Sequence, residues 1–83
     1  MKLSFTEQGF NEYLYWQTQD RKTLSKINKL ILSIERDGVL SGEGKPELLK
    51  YKKSYSRRID SKNRLVYTVE DNSILIFSCI GHY

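Results

Sequence analysis

The sequence has few of the residues on which several protein classes depend. It contains one cysteine, Cys79, one histidine, His82, and one proline among its 83 residues. A single cysteine cannot close an internal disulfide, so the disulfide-stapled secreted scaffolds are excluded. One histidine and one cysteine are also too few ligands for a zinc site. We therefore expect no metal and no cofactor.

Long apolar runs are also missing. No stretch approaches the roughly 20 apolar residues that a membrane span needs, and the first residues lack the apolar core of a signal peptide. The glycines at 42 and 44 do not have the spacing of a phosphate-binding loop, and no serine or threonine follows Lys45. These absences predict a cytoplasmic protein with no membrane contact, and the length predicts one domain over residues 1–83.

Positive charge is concentrated in one part of the chain. Residues 44–64 contain eight of the fourteen lysines and arginines but two of the ten acids, Glu47 and Asp60, so this segment carries +6. The rest of the chain, with six cations and eight acids, carries −2. A local basic surface is typical of a protein that binds a polyanion such as RNA or DNA. A solvated lysine-rich face is the alternative.

Two helices are predicted in the first half. Lys2–Phe5 is a short strand, and Thr6 is a candidate N-cap for a helix over Glu7–Gln19, with Phe5 and Phe10 spaced to form a hydrophobic staple. Asp20 caps a second helix, and Gly38 in the left-handed conformation ends it. The second helix has one apolar stripe at three- and four-residue intervals, formed by Leu24, Ile27, Leu30, Ile31 and Ile34.

The second half has the pattern of strands. Leu48 and Leu49 form a short strand, residues 55–60 a second, Arg64–Glu70 a third and residues 73–80 a fourth. Residues 60–63 and 71–72 have turn chemistry. Two helices followed by hairpins predict an α+β fold in which the helices pack on a small antiparallel sheet.

The candidate reactive groups fit RNA cleavage by acid–base chemistry. When a 2′-hydroxyl attacks the adjacent phosphate, the reaction needs a base, cations for the charge on the phosphorane, and an acid for the leaving 5′-oxygen. Glu47 is the candidate base and His82 the candidate acid, while Tyr83 or Tyr55 would stack on a nucleobase. The candidate cations are Lys45, Lys50, Arg58 and Arg64.

Each of these residues also has a simpler interpretation. An isolated glutamate is usually a solvated surface group, and a histidine beside the C-terminus is often frayed. Arg57 and Arg58 are adjacent on a predicted strand, so at most one of them can point into a given site. Arg64 lies across the predicted turn from Asp60 and would pair with it. Composition alone indicates a basic α+β domain that binds nucleic acid.

A resemblance to a known family sharpens this prediction. Five segments, in order along the chain, resemble the YoeB branch of the RelE toxin superfamily. They are NEYLYWQ at 11–17, KINKLI at 26–31, GKPE followed by Leu49 and Lys50, the pair SRRI at 56–59 and RLVY at 64–67, and the terminal His82-Tyr83. The sequence departs from the family pattern at Leu48 and Tyr55, in a shorter Tyr51–Ser54 connection and in a longer loop before Gly44.

The resemblance implies both chemistry and partners. It implies the RelE-like microbial RNase fold and a ribosome-dependent endoribonuclease that cuts messenger RNA in the A site. It gives Glu47 the role of general base, Arg64 that of phosphate-stabilising arginine, His82 that of general acid and Tyr83 that of orienting substrate. Arg58 and Lys50 would bind phosphate. The implied partners are an antitoxin, the ribosome with its messenger, and a second copy of the chain, with DNA bound only through the antitoxin.

Two other functions remain open on the sequence. The clustered charge would equally serve a basic module that occupies RNA or the ribosome without cutting. A degenerate toxin that is retained as an antitoxin partner or corepressor is the other alternative. Only a measurement of RNA cleavage separates these alternatives from the nuclease.

Overall fold

The computed structural model describes residues 1–50 and 53–81. Two helices pack on one face of a five-stranded mixed sheet. The elements in chain order are β1 (Lys2–Phe5), α1 (Glu7–Gln19), α2 (Arg21–Asp37), β2 (Glu47–Leu49), β3 (Ser54–Arg58), β4 (Arg64–Glu70) and β5 (Ser73–Ser78). The α+β class and both helices are as predicted from the sequence.

The helix ends follow from their capping residues. The Thr6 hydroxyl accepts a hydrogen bond from the Gly9 amide at 3.0 Å and so begins α1. The rings of Phe5 and Phe10 lie 5.8 Å apart, which confirms the hydrophobic staple. The Asp20 carboxylate accepts from the first amides of α2. Gly38 ends α2 with φ 107° and ψ 172°, so it has the predicted positive φ but an extended rather than a left-handed conformation.

The sheet order is β1-β5-β4-β3-β2. The pairs β2–β3, β3–β4 and β4–β5 are antiparallel, in agreement with the hairpins predicted from the sequence. β1 instead pairs in parallel with β5, because α1 carries the chain from the sheet edge across to α2 before the hairpins begin. The sheet is therefore mixed, where the sequence had predicted an antiparallel one.

Two strands end earlier than predicted. β3 stops at Arg58 because the amides of Ile59 and Asp60 both bond to the Asn63 carbonyl and start the turn. β5 stops at Ser78, two residues before the predicted end. The amides of the next two residues, Cys79 and Ile80, donate to the Glu12 side chain on α1 rather than to a neighbouring strand.

The core lies between α2 and the inner face of the sheet. The apolar stripe of α2 meets side chains of β4 and β5 that alternate with outward residues, and the buried set is Ile27, Leu30, Ile31, Ile34, Ile59, Leu65, Tyr67, Ile74, Ile76 and Cys79. α1 crosses close to β5, since a Cβ on Gly9 would collide with the Ile76 carbonyl. Among the described residues, no helix is long and apolar enough to cross a bilayer.

Candidate active site on the open sheet face

The face of the sheet that the helices leave uncovered carries the candidate reactive groups. Glu47 on β2 is the register partner of Ser56, and Ser56 is the partner of Val66. Two residues further along the same two strands, Arg58 and Arg64 are also register partners. Since directly paired residues project to the same side of a sheet, these five residues share one face, which we call the open face.

Glu47 and Arg64 approach one another on the open face. Glu47 Oε1 lies 3.9 Å from Arg64 Nη1, and the Glu47 side chain is 54% exposed while that of Arg64 is 21% exposed. Asp60, the partner that sequence reasoning offered for Arg64, accepts instead from the amides of Lys62 and Asn63 and from the Asn63 side chain. Asp60 therefore holds the turn, and the guanidinium of Arg64 is directed toward the carboxylate of Glu47.

Arg58 and Arg64 place two positive charges at directly opposite positions on neighbouring strands. Like charges directly opposite each other on neighbouring strands destabilise a sheet. Arg58 is exposed, as are Lys45 and Lys50 at the two ends of the β2 segment. The positive surface predicted from residues 44–64 is thus centred beside one carboxylate, and an anion placed over the two arginines would relieve their repulsion.

Arg57 has a different position and a different task. Its side chain is fully buried, and its guanidinium reaches into the loop that joins α2 to β2. Nη2 donates to the carbonyls of Gly38 (2.7 Å) and Ser41 (2.6 Å), and Nη1 donates to the carbonyl of Glu43 (2.8 Å). The sequence prediction that one arginine of the pair faces away from the site is confirmed, because Arg57 holds the loop while Arg58 faces solvent.

Two hydroxyls complete the surroundings of Arg57. Nε donates to the Tyr67 hydroxyl at 2.9 Å, and that hydroxyl donates in turn to the Val39 carbonyl at 2.7 Å. Nη1 donates to Ser33 Oγ at 3.0 Å, and Ser33 Oγ donates to Asp37 at 2.8 Å. The Arg36 guanidinium, and after it the Ser33 hydroxyl, lower the pKa of Asp37 to about 2. Burial raises the pKa of Tyr67, against the opposing effect of Arg57.

The loop that Arg57 holds leads directly into the candidate base. Gly44 has φ +87°, and a Cβ there would lie 2.7 Å from Leu30 Cδ2 and 3.0 Å from Arg57 Cβ. The Gly44 carbonyl also accepts from the Arg58 amide at 2.6 Å. The glycine of GKPE is therefore required by a close approach as well as by its positive φ, and it fixes the chain three residues before β2 begins.

The end of β5 is attached to the rest of the fold by three side chains. Glu12 Oε1 accepts from the amides of Cys79 (2.8 Å) and Ile80 (3.1 Å), and Trp16 Nε1 donates to the Cys79 carbonyl (2.9 Å). The side-chain oxygen of Asn63 accepts from the Gly81 amide at 2.8 Å, and the Arg64 amide donates to the Gly81 carbonyl at 3.1 Å. Sequence reasoning missed Glu12 and Asn63 because nothing local to them indicates a distant backbone partner.

A β-bulge lies in the same region. The register of β4 and β5 shifts between Val66 and Tyr67, so that Val66 opposes Ser78 while Tyr67 opposes Ile76, and Phe77 is the extra residue. The bulge changes the alternation of β5, and Cys79 consequently turns into the core with no exposed surface. Burial raises the pKa of the Cys79 thiol to about 12, so the thiol is neutral and shielded.

The remaining predicted site residues divide into two groups. His82 and Tyr83, the candidate acid and the residue expected to orient substrate, lie outside the described residues, as do the first two residues of the shortened connection at 51–54. Tyr55, the other candidate for stacking on a base, is half-buried on the helix-packed face, where its ring stacks on Tyr67 with centroids 5.7 Å apart. Tyr55 is therefore not a stacking residue of the open face.

The described part of the chain contains no group of three or more histidine, cysteine, aspartate or glutamate residues able to hold a metal ion. A shallow apolar cleft of about 300 Å³ lies where α1, α2 and β1 meet. It adjoins the exposed edge strand β1 and is lined by Leu3, Phe5, Tyr13, Asn28, Ile31 and Leu32. In the cleft the Tyr13 hydroxyl donates a hydrogen bond to Asn28 Oδ1 at 2.8 Å.

This chain is similar in sequence to known bacterial toxins. Residues 5–83 match the family model described as the YoeB-like toxin of bacterial type II toxin–antitoxin systems. A toxin YoeB from Synechocystis sp. is 51% identical, with 100% of this chain and 98% of that protein covered.

Solved structures from Staphylococcus aureus have the same fold. A heterotetrameric YoeB–YefM toxin–antitoxin complex gives a TM-score of 0.93 at 50% identity, covering 100% of this chain and 98% of the other. A YoeB dimer gives 0.95 at 49% identity with the same coverage. The family match spans nearly the whole chain and includes every described residue of the open face, so this protein belongs to the family of YoeB-like toxins of bacterial type II toxin–antitoxin systems.

Proposed function

We propose that the protein is an endoribonuclease that cuts messenger RNA in the ribosomal A site and thereby stops translation. The observation that carries the proposal is the grouping of one carboxylate, Glu47, with two arginines, Arg58 and Arg64, on the open face. A phosphate group is the ligand that two such arginines favour. A carboxylate beside the phosphate is placed to take a proton from the adjacent 2′-hydroxyl.

The proposed reaction is an internal transfer of the phosphate. Glu47 removes the proton of the 2′-hydroxyl, and the 2′-oxygen bonds to phosphorus. Arg64 and Arg58 neutralise the charge that develops on the phosphorane oxygens. The bond from phosphorus to the 5′-oxygen then breaks, and His82 gives that oxygen its proton, leaving a 2′,3′-cyclic phosphate and a 5′-hydroxyl. Tyr83 orients the substrate, and Lys45 and Lys50 attract the backbone.

The contact between Glu47 and Arg64 is weak enough for an RNA phosphate to replace Glu47 as the partner of the arginine. An ion pair that is this exposed contributes only about 0.2–1 kcal/mol to stability, and the 3.9 Å separation is at the long end for such pairs. An RNA phosphate offers Arg64 bidentate hydrogen bonds that are stronger. Binding of RNA would therefore separate the pair at little cost and free the carboxylate for the hydroxyl.

The proposal includes three partners: an antitoxin, the ribosome with its messenger, and a second copy of the chain. The S. aureus relatives support an antitoxin partner and a homodimer, since one was solved as a YoeB–YefM complex and another as a dimer. Exposed apolar side chains support a protein partner as well, because Leu32 is 61% and Leu3 is 47% exposed beside the edge strand. Operator DNA would be bound only through the antitoxin.

The test compares four proteins expressed without antitoxin: the wild type, Arg64→Ala, His82→Ala and the control Lys62→Ala. Lys62 lies in the same basic segment, but its side chain is exposed in the turn. We expect growth arrest and new messenger ends with the wild type and the control, and neither with the other two variants. Folding of each variant is checked by its unfolding midpoint. If Arg64→Ala and His82→Ala arrested growth as the wild type does, the proposed roles would be wrong.

The alternative function, a basic module that binds RNA or the ribosome without cleaving, predicts different results. Translation would stop while the messenger stayed intact, and His82→Ala would have no effect. Neutralising Lys50, Arg58 and Arg64 together would abolish the arrest. A degenerate toxin that acts as corepressor would produce neither arrest nor new ends.

A further inference from the structure

We propose that Glu12 is a positioning residue for the reaction: by binding the backbone after β5 it sets the direction in which the chain leaves the sheet toward His82. The proposal rests on the proposed function, because it concerns the group that protonates the leaving oxygen. Its basis is the set of contacts to residues 79–81, which tie the last described part of the chain to α1 and to the first residue of β4.

The Glu12 contact is unusual for its position on a helix. A glutamate on an amphipathic helix normally extends into solvent. Here one oxygen, Oε1, accepts from two successive backbone amides 67 and 68 residues further along the chain. Hydrogen bonds between a carboxylate and backbone amides are charge-assisted and roughly twice as strong as neutral ones. The bond also fixes direction, because two adjacent amides can point at one oxygen only when the chain bends away from the extended strand.

The remaining contacts connect the same segment to the open face. Trp16, one helical turn after Glu12, holds the Cys79 carbonyl, so α1 binds both sides of that residue. Gly81 is held between the Asn63 side chain and the amide of Arg64. Arg64 thus contacts Glu47 through its guanidinium and Gly81 through its backbone amide.

This connection implies a geometric coupling between the acid and the arginine. His82 is joined to Gly81 by one peptide bond, and Gly81 is anchored to the residue that carries the phosphate-binding guanidinium. General acid catalysis requires the donor within hydrogen-bond reach of the leaving atom, and small displacements reduce the rate steeply. Glu12 and Trp16 supply the other fixed end of the segment, so their removal would misdirect the acid without changing any group that contacts RNA.

The test uses a leaving group that needs no acid. Two synthetic messengers are placed in ribosome complexes, one normal and one with sulfur replacing the 5′-oxygen at the cleaved linkage. A thiolate leaves without being protonated, so cleavage of the sulfur messenger bypasses the acid. Single-turnover rates at saturating protein are measured for the wild type, Glu12→Ala, Glu12→Gln and Arg64→Ala. Glu35→Ala, which removes an exposed carboxylate from α2, is the charge-matched control.

We expect Glu12→Ala to cut the normal messenger at least about 10-fold more slowly than the wild type, since general acids contribute 10²–10⁴-fold. On the sulfur messenger it should come within about 3-fold of the wild type. Glu12→Gln retains an acceptor oxygen and should recover most of the normal rate, while Glu35→Ala should match the wild type throughout. Arg64→Ala should be slow on both messengers, because the phosphorane charge must be stabilised in either case.

A second variant tests whether the defect of Glu12→Ala comes from a general loss of structure. Trp16→Phe removes the donor to the Cys79 carbonyl but keeps an aromatic ring, and it should show the same selective defect on the normal messenger. Equal slowing of Glu12→Ala on both messengers would assign Glu12 a purely structural role and overturn the inference, as would an unchanged normal rate. A wild type that cuts neither messenger would overturn the proposed function itself, which is a separate result from a wild type that cuts both.

Discussion

Arg58 and Arg64 stand directly opposite each other on β3 and β4 and project to the same face of the sheet. Two guanidinium groups at paired positions repel one another in the free protein. An anionic ligand bound by both guanidinium groups would relieve this repulsion, and in the proposed function that ligand is RNA.

Replacing Arg58 should therefore separate stability from activity. We expect Arg58→Gln to be as stable as the wild type or more stable by about 0.2–1 kcal/mol, because a like-charge pair is removed, and to cleave RNA at least about 10-fold more slowly. Urea unfolding and RNA cleavage rates measure the two effects. Lys62→Gln removes the same charge from the turn and should leave cleavage unchanged. A marked loss of stability in Arg58→Gln would contradict the account.

Replacing Arg57, in contrast, should reduce the stability of the fold. The buried guanidinium binds several loop carbonyls, so Arg57→Ala leaves them without their donor and should destabilise the protein by about 3–5 kcal/mol. Arg57→Lys retains the charge but cannot span the set of acceptors, and it should recover only part of this loss. Equilibrium unfolding in urea measures both variants. If Arg57→Ala were as stable as Arg58→Ala, the loop between α2 and β2 would keep its conformation without Arg57, and this prediction would be wrong.

Acid should weaken the same loop. The pKa of Asp37 is lowered to about 2, below the roughly 3.9 of an unfolded aspartate. Asp37 therefore stabilises the fold fully above about pH 5, and this stabilisation is lost as the pH falls from about 5 toward 2. Asp37→Asn should be less stable than the wild type at pH 7 and should lose less stability on acidification. Unfolding midpoints measured from pH 7 to pH 2.5 test this. Parallel curves for the two proteins would contradict it.

The thiol of Cys79 should report on unfolding. It is fully buried, and its pKa is raised to about 12, so almost no reactive thiolate exists at pH 7–8. A chromogenic disulfide reagent should leave the native protein unmodified and react fully in denaturant. Since Glu12 binds the Cys79 amide, Glu12→Ala should increase the native reaction rate. Rapid labelling of the native wild type would show that the end of β5 is open.

Local signals in the sequence were sufficient for much of the fold. Thr6 and Asp20 fixed the starts of the helices because a cap acts on amides two or three residues away. The alternation from Arg64 to Glu70 identified the inner and outer residues of β4, and with them the face on which Arg64 lies. The grouping of Glu47 with Arg64 followed from their place in the family motifs, and the described geometry brings the two within 3.9 Å.

Non-local contacts account for what was missed. The burial of Arg57 depends on carbonyls of a loop 14–19 residues earlier, and the sequence signal was only its position between Tyr55 and Ile59 on the inward alternation. Glu12 acts on amides more than sixty residues away, which no local pattern shows. The parallel pairing of β1 with β5 likewise depends on the path of α1, since a hairpin pattern predicts only antiparallel neighbours.

The most direct test of the central claim is to map messenger 5′ ends by primer extension in a cell-free translation reaction. Purified protein is added to one tube with ribosomes and to a matched tube without them. The account predicts new ends at the A-site codon in the first tube, none in the second, and none with Arg64→Ala. Halted synthesis with an intact messenger would contradict the nuclease and leave RNA or ribosome binding without cleavage as the function of the open face.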